Sequence, residues 1–279
     1  MIHCDVALEA LTALCNANVT CPQNQSKSVH QRDISGGCRA AQEPLHINNF
    51  IHTILKGDET CQVSRCNFFH LQSFLQCGVK VARFAPEIHV DTKGVFKGSY
   101  YINKDEFFDP RFDYDFTNLK DTECYCRGGE VYERPCGWQR FALKVLDKYD
   151  GNTWLGTQYR STQSVPGEWP VSYHGTSKAG VDGIIEGFYK PGPGQAYGRG
   201  IYSTPFIAEA ISYAKTFTSQ KTGKKYLVIL QNRINPAYRY KYNNDKYWLV
   251  PIPAGISVTE EHKMVERAIR PYGLLLKEV

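Results

Sequence analysis

A histidine, a threonine and a tyrosine lie in a stretch of the chain, 171–205, that is unusually rich in glycine. His174-Gly175-Thr176 ends a short β-like run, and Tyr202 follows His174 by 28 positions (202 − 174). The stretch holds eight glycines, which allow close backbone approach to a ligand or positive φ angles. A ligand cleft with an imidazole, a hydroxyl and a phenol at its mouth is one hypothesis. The second hypothesis is a loop-rich edge of the fold in which the histidine is an ordinary hydrogen-bonded residue. The spacing of the residues alone favours this second hypothesis.

The order of the motifs resembles the NAD-binding core of the ADP-ribosyltransferases of the poly(ADP-ribose) polymerase (diphtheria-toxin-like) class. His174-Gly175-Thr176 matches the His-Gly-Ser/Thr of one family strand. The segment 198–202, Gly-Arg-Gly-Ile-Tyr, matches the Gly-Lys/Arg-Gly-Ile/Val-Tyr that opens the next. The segment 208–214 resembles the helix that packs behind the family's site. The resemblance extends from about residue 167 to the end of the sequence.

The resemblance implies that NAD is the substrate and that an ADP-ribosyl group is transferred with release of nicotinamide. It implies that His174 hydrogen bonds to the adenosine ribose and that the backbone of Gly175 meets the nicotinamide carboxamide. Thr176 would reach the same amide or the nicotinamide ribose. Tyr202 would stack on the nicotinamide ring in the catalytic site, and Tyr213 is a candidate for a second stacking ring. The acceptor would be a protein or a nucleic acid.

The family's third motif residue, a glutamate before an aromatic residue in a late strand, has no counterpart here. In the matching segment, 244–250, Lys246 precedes Tyr247. Asp245 would point to the opposite face of a regular strand, unless a bulge redirects it. We therefore expect mono- rather than poly-ADP-ribosyl transfer, with Asp245 and Lys246 as candidate catalytic residues. Other acids that could serve are Glu260 and Glu261.

Two alternatives come from other functional classes. The same cleft could bind NAD or ADP-ribose without turnover. The segment 238–242 alternates tyrosine with arginine or lysine, and the net charge is +5, so a nucleic-acid-binding module is a further alternative. Such alternation is also typical of an edge strand with one buried and one charged face.

The ten cysteines leave zinc binding open. Cys61, Cys66, His70 and Cys77 could form a Cys3His site, because structural zinc tolerates a C-x4-C spacing. The other gaps are not diagnostic, and free cysteine is often simply buried. Buried thiols are therefore the favoured interpretation.

The resemblance implies that these residues are positioned by an α+β fold with the family's split antiparallel β-sheet core and a few helices. The clearest strand is Lys225–Ile234, which is apolar and β-branched between turn residues. The last two strands are predicted over 245–250 and 269–277, with Pro271 marking an edge or a bulge. The segment 255–268 is predicted as a loop with room for one helical turn, and Asp150-Gly151 as a hairpin turn.

We expect three parts: a partly flexible tail at 1–44 that includes a short helix, an appended helical or irregular layer at 45–133, and the NAD-binding domain at 134–279. No run of 18 apolar residues occurs, so no membrane span is expected. The segment 1–20 lacks the basic start and apolar core of a secretory signal. We expect an intracellular protein, cytoplasmic or nuclear.

Overall fold

The computed structural model describes residues 2–21, 43–54, 99–157, 161–175, 197–198 and 200–279. The helices are α1 (Cys4–Cys15), α2 (residues 47–54), α3 (Lys104–Phe107), α4 (Ile207–Ile211) and α5 (Val258–Ala268). The strands are β1 (Asn18–Thr20), β2 (Glu43–Pro44), β3 (Ser99–Tyr101), β4 (Tyr114–Asp115), β5 (Cys126–Arg127), β6 (Glu130–Val131), β7 (Gln139–Ala142), β8 (Val171–His174), β9 (Gly200–Ser203), β10 (Lys215–Thr218), β11 (Lys225–Ile234), β12 (Tyr240–Tyr242), β13 (Tyr247–Pro251) and β14 (Ile269–Glu278). The fold is mixed α+β, as predicted. No helix among the described residues is both long and apolar enough to cross a bilayer.

The largest sheet is antiparallel and centred on β11 and β14. Its strands run in the order β10-β11-β14-β7-β4, and β8 also pairs with β11. The first half of β11 pairs with β10 and the second half with β8. One edge of β11 is therefore shared by two strands, and the sheet divides there. Beyond this division β8, which ends at His174, takes the place of β10 beside β11.

Both faces of this sheet are buried, and the sequence of the central strands reflects it. On β14, Leu274 and Leu276 pack into one core cluster with α1, while Leu275 packs into a second cluster on the opposite face. Neighbouring residues of a strand point to opposite faces, so a strand covered on both sides needs consecutive apolar residues. Val228 and Ile229 on β11 divide in the same way.

A smaller antiparallel sheet, in the order β12-β13-β9, carries Tyr202. Ser203 of β9 lies opposite Trp248 of β13 in this sheet. Among the described residues, the smaller sheet joins the large sheet through an antiparallel bridge between Tyr173 and Thr204. The backbone N–H group of each residue donates a hydrogen bond to the carbonyl oxygen of the other, at 2.8 and 3.0 Å. That single bridge sets His174 and Tyr202 beside each other.

The amino-terminal helix packs against the domain rather than forming the expected tail. Val6, Leu11 and Leu14 of α1 are fully buried in the cluster that contains Leu274 and Leu276. The adjoining β1, β3 and β2 form a small parallel sheet. Residues 22–42 lie outside the described part of the chain.

The strands predicted over 225–234 and 269–277 were confirmed as β11 and β14, whereas two other local predictions were wrong. The segment predicted as a loop contains the 11-residue helix α5, and Thr153–Leu155 forms a 3₁₀ helix rather than the second arm of a hairpin. The strand expected over 245–250 begins only at Tyr247. The irregularity predicted at Pro271 is a β-bulge, because Gln231 pairs with Gly273 while Asn232 pairs with Pro271.

Candidate functional site

His174 ends β8 as a buried residue whose ring joins the two sheets. Its Nδ1 lies 2.6 Å from the backbone carbonyl oxygen of Tyr202. A carbonyl only accepts hydrogen bonds, so Nδ1 carries the ring proton. Burial lowers the pKa of His174, and the ring is therefore neutral near pH 7 with Nε2 as its basic nitrogen. An imidazole held in this way can accept a hydrogen bond from a hydroxyl group of a ligand.

The glycines of the two motifs are required by close backbone packing. A Cβ atom on Gly175 would lie 2.4 Å from the carbonyl oxygen of Tyr213 and 2.5 Å from its carbonyl carbon. A Cβ atom on Gly200 would lie 2.1 Å from the carbonyl oxygen of Val250. Any side chain at either position would push apart the strands and turns that form the site.

Tyr202 is almost completely buried in a cluster of aromatic rings. Its hydroxyl donates a hydrogen bond of 2.7 Å to the carbonyl oxygen of Gly198, which anchors the ring to the turn before β9. Tyr247 and Leu249 of β13 share the buried cluster, and Tyr213 packs against it. Burial raises the pKa of both Tyr202 and Tyr213, so their phenols remain protonated at neutral pH.

A small cavity of about 20 Å³ lies between these groups. Its lining consists of Tyr173, His174, Gly175, Tyr202, Ser203, Thr204, Ala210, Tyr213 and Tyr247. The structure therefore brings together four of the residues singled out in the sequence, His174, Gly175, Tyr202 and Tyr213. The hydroxyl of Ser203 is buried and has no hydrogen-bond partner among the described residues. Because Ser203 follows Tyr202 on β9 and lies opposite Trp248, its side chain is on the other face of the small sheet from the ring of Tyr202.

Lys246 lies at the rim of the cleft, immediately before β13. Its Nζ is 3.0 Å from Oε1 of Glu209 on α4, and it stands 5.7 Å from the centre of the Tyr247 ring. The carboxylate of Glu209 raises the pKa of Lys246 and keeps it charged. Glu209 also acts on Tyr213, whose pKa its negative charge helps to raise. An ion pair thus occupies the place where the family has a glutamate.

Asp245 lies outside β13, in a turn of three consecutive residues with positive φ, Asn243, Asn244 and Asp245. Its carboxylate is 3.0 Å from Nζ of Lys241 and is largely exposed. The expected choice between the two faces of a strand does not arise, because the backbone at Asp245 is left-handed with φ of 63°. Asp245 is not among the residues that line the cleft.

The other candidate acids have structural contacts elsewhere. Glu260 forms the capping box of α5 with Ser257, and Glu261 lies 3.6 Å from Nδ1 of His52. Thr176 lies outside the described residues, and so do the candidate zinc ligands Cys61, Cys66, His70 and Cys77, for which buried thiols were the favoured interpretation. Within the described part of the chain, one exposed group has metal-ligand spacing, formed by His3, Cys4 and Asp5. Asp5 in that group is already ion-paired with Lys104 and Lys221.

The basic and aromatic segment 238–242 contains the outer strand of the small sheet, β12, as the edge-strand interpretation predicted. Arg239 and Lys241 both pair with Glu130. The guanidinium of Arg239 also stacks 3.8 Å above the ring of Trp248 and is almost fully buried. Of this segment, the exposed rings of Tyr238 and Tyr240 remain at the surface.

Sequence patterns did not point to Glu209, Ser203 or Tyr247 as residues of the site. Tyr247 directly follows Lys246 and could have been found from the family's aromatic residue at that place. Glu209 carried no signal, because its contact with Lys246 joins segments 37 residues apart (246 − 209). Comparisons of the chain with protein-family models, curated proteins and solved structures found no match.

Proposed function

We propose that the chain binds NAD in the cleft between β8 and β9 and transfers a single ADP-ribosyl group to a macromolecular acceptor. The observation that carries this proposal is the hydrogen bond between His174 and the carbonyl of Tyr202. It fixes the two motifs of the resemblance at one cleft, with the histidine neutral and buried. The protein and nucleic-acid classes of acceptor both remain candidates.

The composition of the lining, rather than the volume of the described cavity of about 20 Å³, supports recognition of a planar, uncharged amide such as nicotinamide. The rings of Tyr202, Tyr213 and Tyr247 line the same cleft and supply aromatic faces. The backbone of Gly175 can approach a ligand closely, since no Cβ intervenes. Aromatic stacking with a few well-placed polar groups is the usual composition of a small-molecule site.

Transfer requires that the bond between ribose and nicotinamide breaks while positive charge develops on the sugar. Fixed charges and dipoles aimed at that centre supply most of the stabilisation in such reactions. An unpaired ammonium at Lys246 would oppose the developing charge. The carboxylate of Glu209, 3.0 Å from Nζ of Lys246, offsets the positive charge of the ammonium. The rim therefore does not oppose the positive charge that develops on the ribose.

The direct test incubates the full chain with NAD labelled on its adenylate and measures both protein-bound label and free nicotinamide. We expect label in the wild type and its loss in Tyr202→Ala. Tyr202→Phe, which removes the hydroxyl and its hydrogen bond to Gly198 but keeps the ring, should retain label and guards against a folding defect. The matched control is Tyr240→Ala, because Tyr240 is 60% exposed on β12 and outside the cleft. Wild-type-like label in a folded Tyr202→Ala would refute the proposed site.

A second candidate function is NAD binding without turnover. The observation that favours it is the absence of any carboxylate among the described residues that line the cleft. Saturable NAD binding by calorimetry, with no release of nicotinamide in the presence of protein or nucleic-acid acceptors, would establish this function instead.

Exchanging the charges of the rim ion pair separates the two functions further. The double variant Glu209→Lys, Lys246→Glu retains an ion pair and places a carboxylate before Tyr247. We expect nicotinamide release to rise on the order of tenfold or more, because a positioned carboxylate supplies general-base and electrostatic stabilisation. The control is Glu209→Gln, Lys246→Gln, which removes both charges. Equal rates in the two double variants would show that position 246 is not part of the catalytic machinery.

A further inference from the structure

A second cavity, much larger than the cleft, lies beside β7, β8, β11 and β14 of the large sheet. Its volume is about 340 Å³, within the usual range of small-molecule sites. Val171 and Arg233, which pair across β8 and β11, both line it. His174 is three residues from Val171 on the same strand and therefore points to the opposite face. The two cavities share no lining residue.

Four arginines line this cavity, and each stacks on an aromatic ring of the same lining. The distances from the guanidinium Cζ to the ring centre are 5.5 Å for Arg127 and Tyr132, and 4.2 Å for Arg134 and Tyr125. They are 5.7 Å for Arg140 and Phe116, 5.6 Å for Arg140 and Tyr272, and 5.4 Å for Arg233 and Tyr272. Stacking fixes the guanidinium planes before any ligand arrives. A preorganised guanidinium loses less conformational freedom when it binds an anion.

Carboxylates neutralise only part of this positive charge. Glu168 lies 3.0 Å from Arg233 and 3.5 Å from Arg127, and its side chain is 2% exposed. Asp121 pairs with Arg134. The fourth lining guanidinium, Arg140, has no ion pair within the described part of the chain. The four arginines of the cavity therefore exceed the two carboxylates paired with them by two, and a third carboxylate nearby, Asp109 of the lining, is paired with Arg111.

Arg140 is the group with unused binding capacity. It donates one hydrogen bond, of 2.9 Å, to the carbonyl oxygen of Phe112, and its Nε is buried without a partner. The carboxylate of Asp113 accepts the N–H of Ala142 at 2.7 Å; burial raises the pKa of this carboxyl, and the charge of Arg140 acts in the opposite direction. Gly273 makes room for this side chain, since a Cβ there would lie 2.7 Å from Cδ of Arg140.

We propose that this cavity is a second ligand site, which binds a planar aromatic phosphate of mononucleotide size with its phosphate at Arg140 and its ring against Tyr114 and Phe116. A phosphate monoester carries about 1.5 to 2 negative charges at pH 7, which matches the excess of arginine. Arginine forms paired hydrogen bonds to phosphate, and aromatic rings stack on nucleobases regardless of sequence. Tyr114 is 40% exposed at the mouth, where an entering ring would meet it. This inference does not depend on the proposed transferase activity.

The test titrates the full chain with 5′-AMP by calorimetry, beside adenosine and inorganic phosphate as probes of the ring and the anion alone. We expect AMP to bind more tightly than either fragment. Arg140→Gln should weaken AMP binding about ten- to a hundredfold, the range for hydrogen bonds to a charged group. The control, Arg267→Gln, removes an exposed arginine of α5 that does not line the cavity and should have no effect.

Two further variants keep the test decisive. Tyr114→Ala removes an exposed ring, leaves the core intact and should weaken AMP binding several-fold without affecting inorganic phosphate. Tyr202→Ala alters only the other cleft and should leave AMP affinity unchanged. Undetectable AMP binding at millimolar concentration, or equal affinity in the wild type, Arg140→Gln and Tyr114→Ala, would overturn the proposal. So would loss of AMP binding in Tyr202→Ala alone, which would place the nucleotide in the cleft of His174.

Discussion

Replacing Gly175 with alanine should weaken NAD binding by about as much free energy as it costs the fold. The new Cβ would lie 2.4 Å from the carbonyl oxygen of Tyr213, whereas ordinary contact begins near 3.4 Å. The backbone at Tyr213 must therefore retreat by about 1 Å (3.4 − 2.4). Overpacking of this kind costs about 1–3 kcal/mol in the free energy of unfolding. For a chain of this size the melting temperature should fall by about 2–12 °C.

The effect on NAD arises because the same shift moves two groups of the cleft at once. The backbone of Gly175 is proposed to meet the carboxamide, and Tyr213 to provide an aromatic face. Losing two hydrogen bonds of about 1 kcal/mol each corresponds to a roughly 30-fold weaker affinity. Calorimetric titration with NAD measures the affinity, and urea denaturation measures the stability of the same preparation.

The matched control is Gly223→Ala in the turn between β10 and β11. Gly223 has a φ of +71° with no atom within 4 Å of a built Cβ, so alanine there is strained but not crowded. Its cost is on the order of 1 kcal/mol, similar to that at Gly175, with no change in NAD affinity. Unchanged NAD affinity in a folded Gly175→Ala would refute the proposed role of this close packing.

Three further predictions concern stability. Burial places the pKa of His174 in the folded protein below its ordinary value of 6.5. The free energy of unfolding is therefore highest above pH 6.5 and decreases as the pH falls through the folded pKa. His174→Gln should flatten this decrease, as measured by urea denaturation at a series of pH values. Arg233→Met leaves Arg127, at 3.5 Å, as the remaining ion-pair partner of the buried carboxylate of Glu168 in the described part of the chain. The free energy of unfolding should fall by about 3 kcal/mol or more in urea denaturation. A loss below about 1 kcal/mol would contradict the inference that Glu168 depends on Arg233. Ser257→Ala removes the cap of α5 and should cost about 1 kcal/mol, whereas Ser257→Thr should retain most of it.

The strands of the core were predictable because burial on both faces produces continuous apolar runs. Lys225–Ile234 and the leucines of β14 carry that signal in the sequence itself. Helix α5 gave a weaker one, because among its described side chains only Val265 and Ala268 are buried. The pattern that marked its start was the capping box, in which Ser257 and Glu260 satisfy each other's backbone N–H groups. A search for caps, rather than for apolar periodicity, would have found this helix.

The candidate site was predictable in its two motifs but not in its surroundings. The order of His174, Gly175 and Tyr202 indicated a shared cleft. Their actual meeting depends on one bridge between Tyr173 and Thr204, and on a histidine bond to a backbone carbonyl. Backbone carbonyls are present at every position, so no pattern of residue types reveals such a bond. The turn at Asp245 was equally hidden, since its three left-handed residues displaced the start of β13.

The ion pair between Lys246 and Glu209 explains how a chain can depart from the family pattern without making the cleft cationic. A lone ammonium beside Tyr213 and Tyr247 would favour anions at the place where a transferase needs to stabilise positive charge. Pairing it with Glu209 at 3.0 Å leaves the rim nearly neutral while both side chains stay partly exposed. A neutral rim is compatible with NAD binding in either proposed function. The difference between them therefore depends on whether a carboxylate can approach the nicotinamide ribose, and the charge-exchanged variant supplies one at position 246.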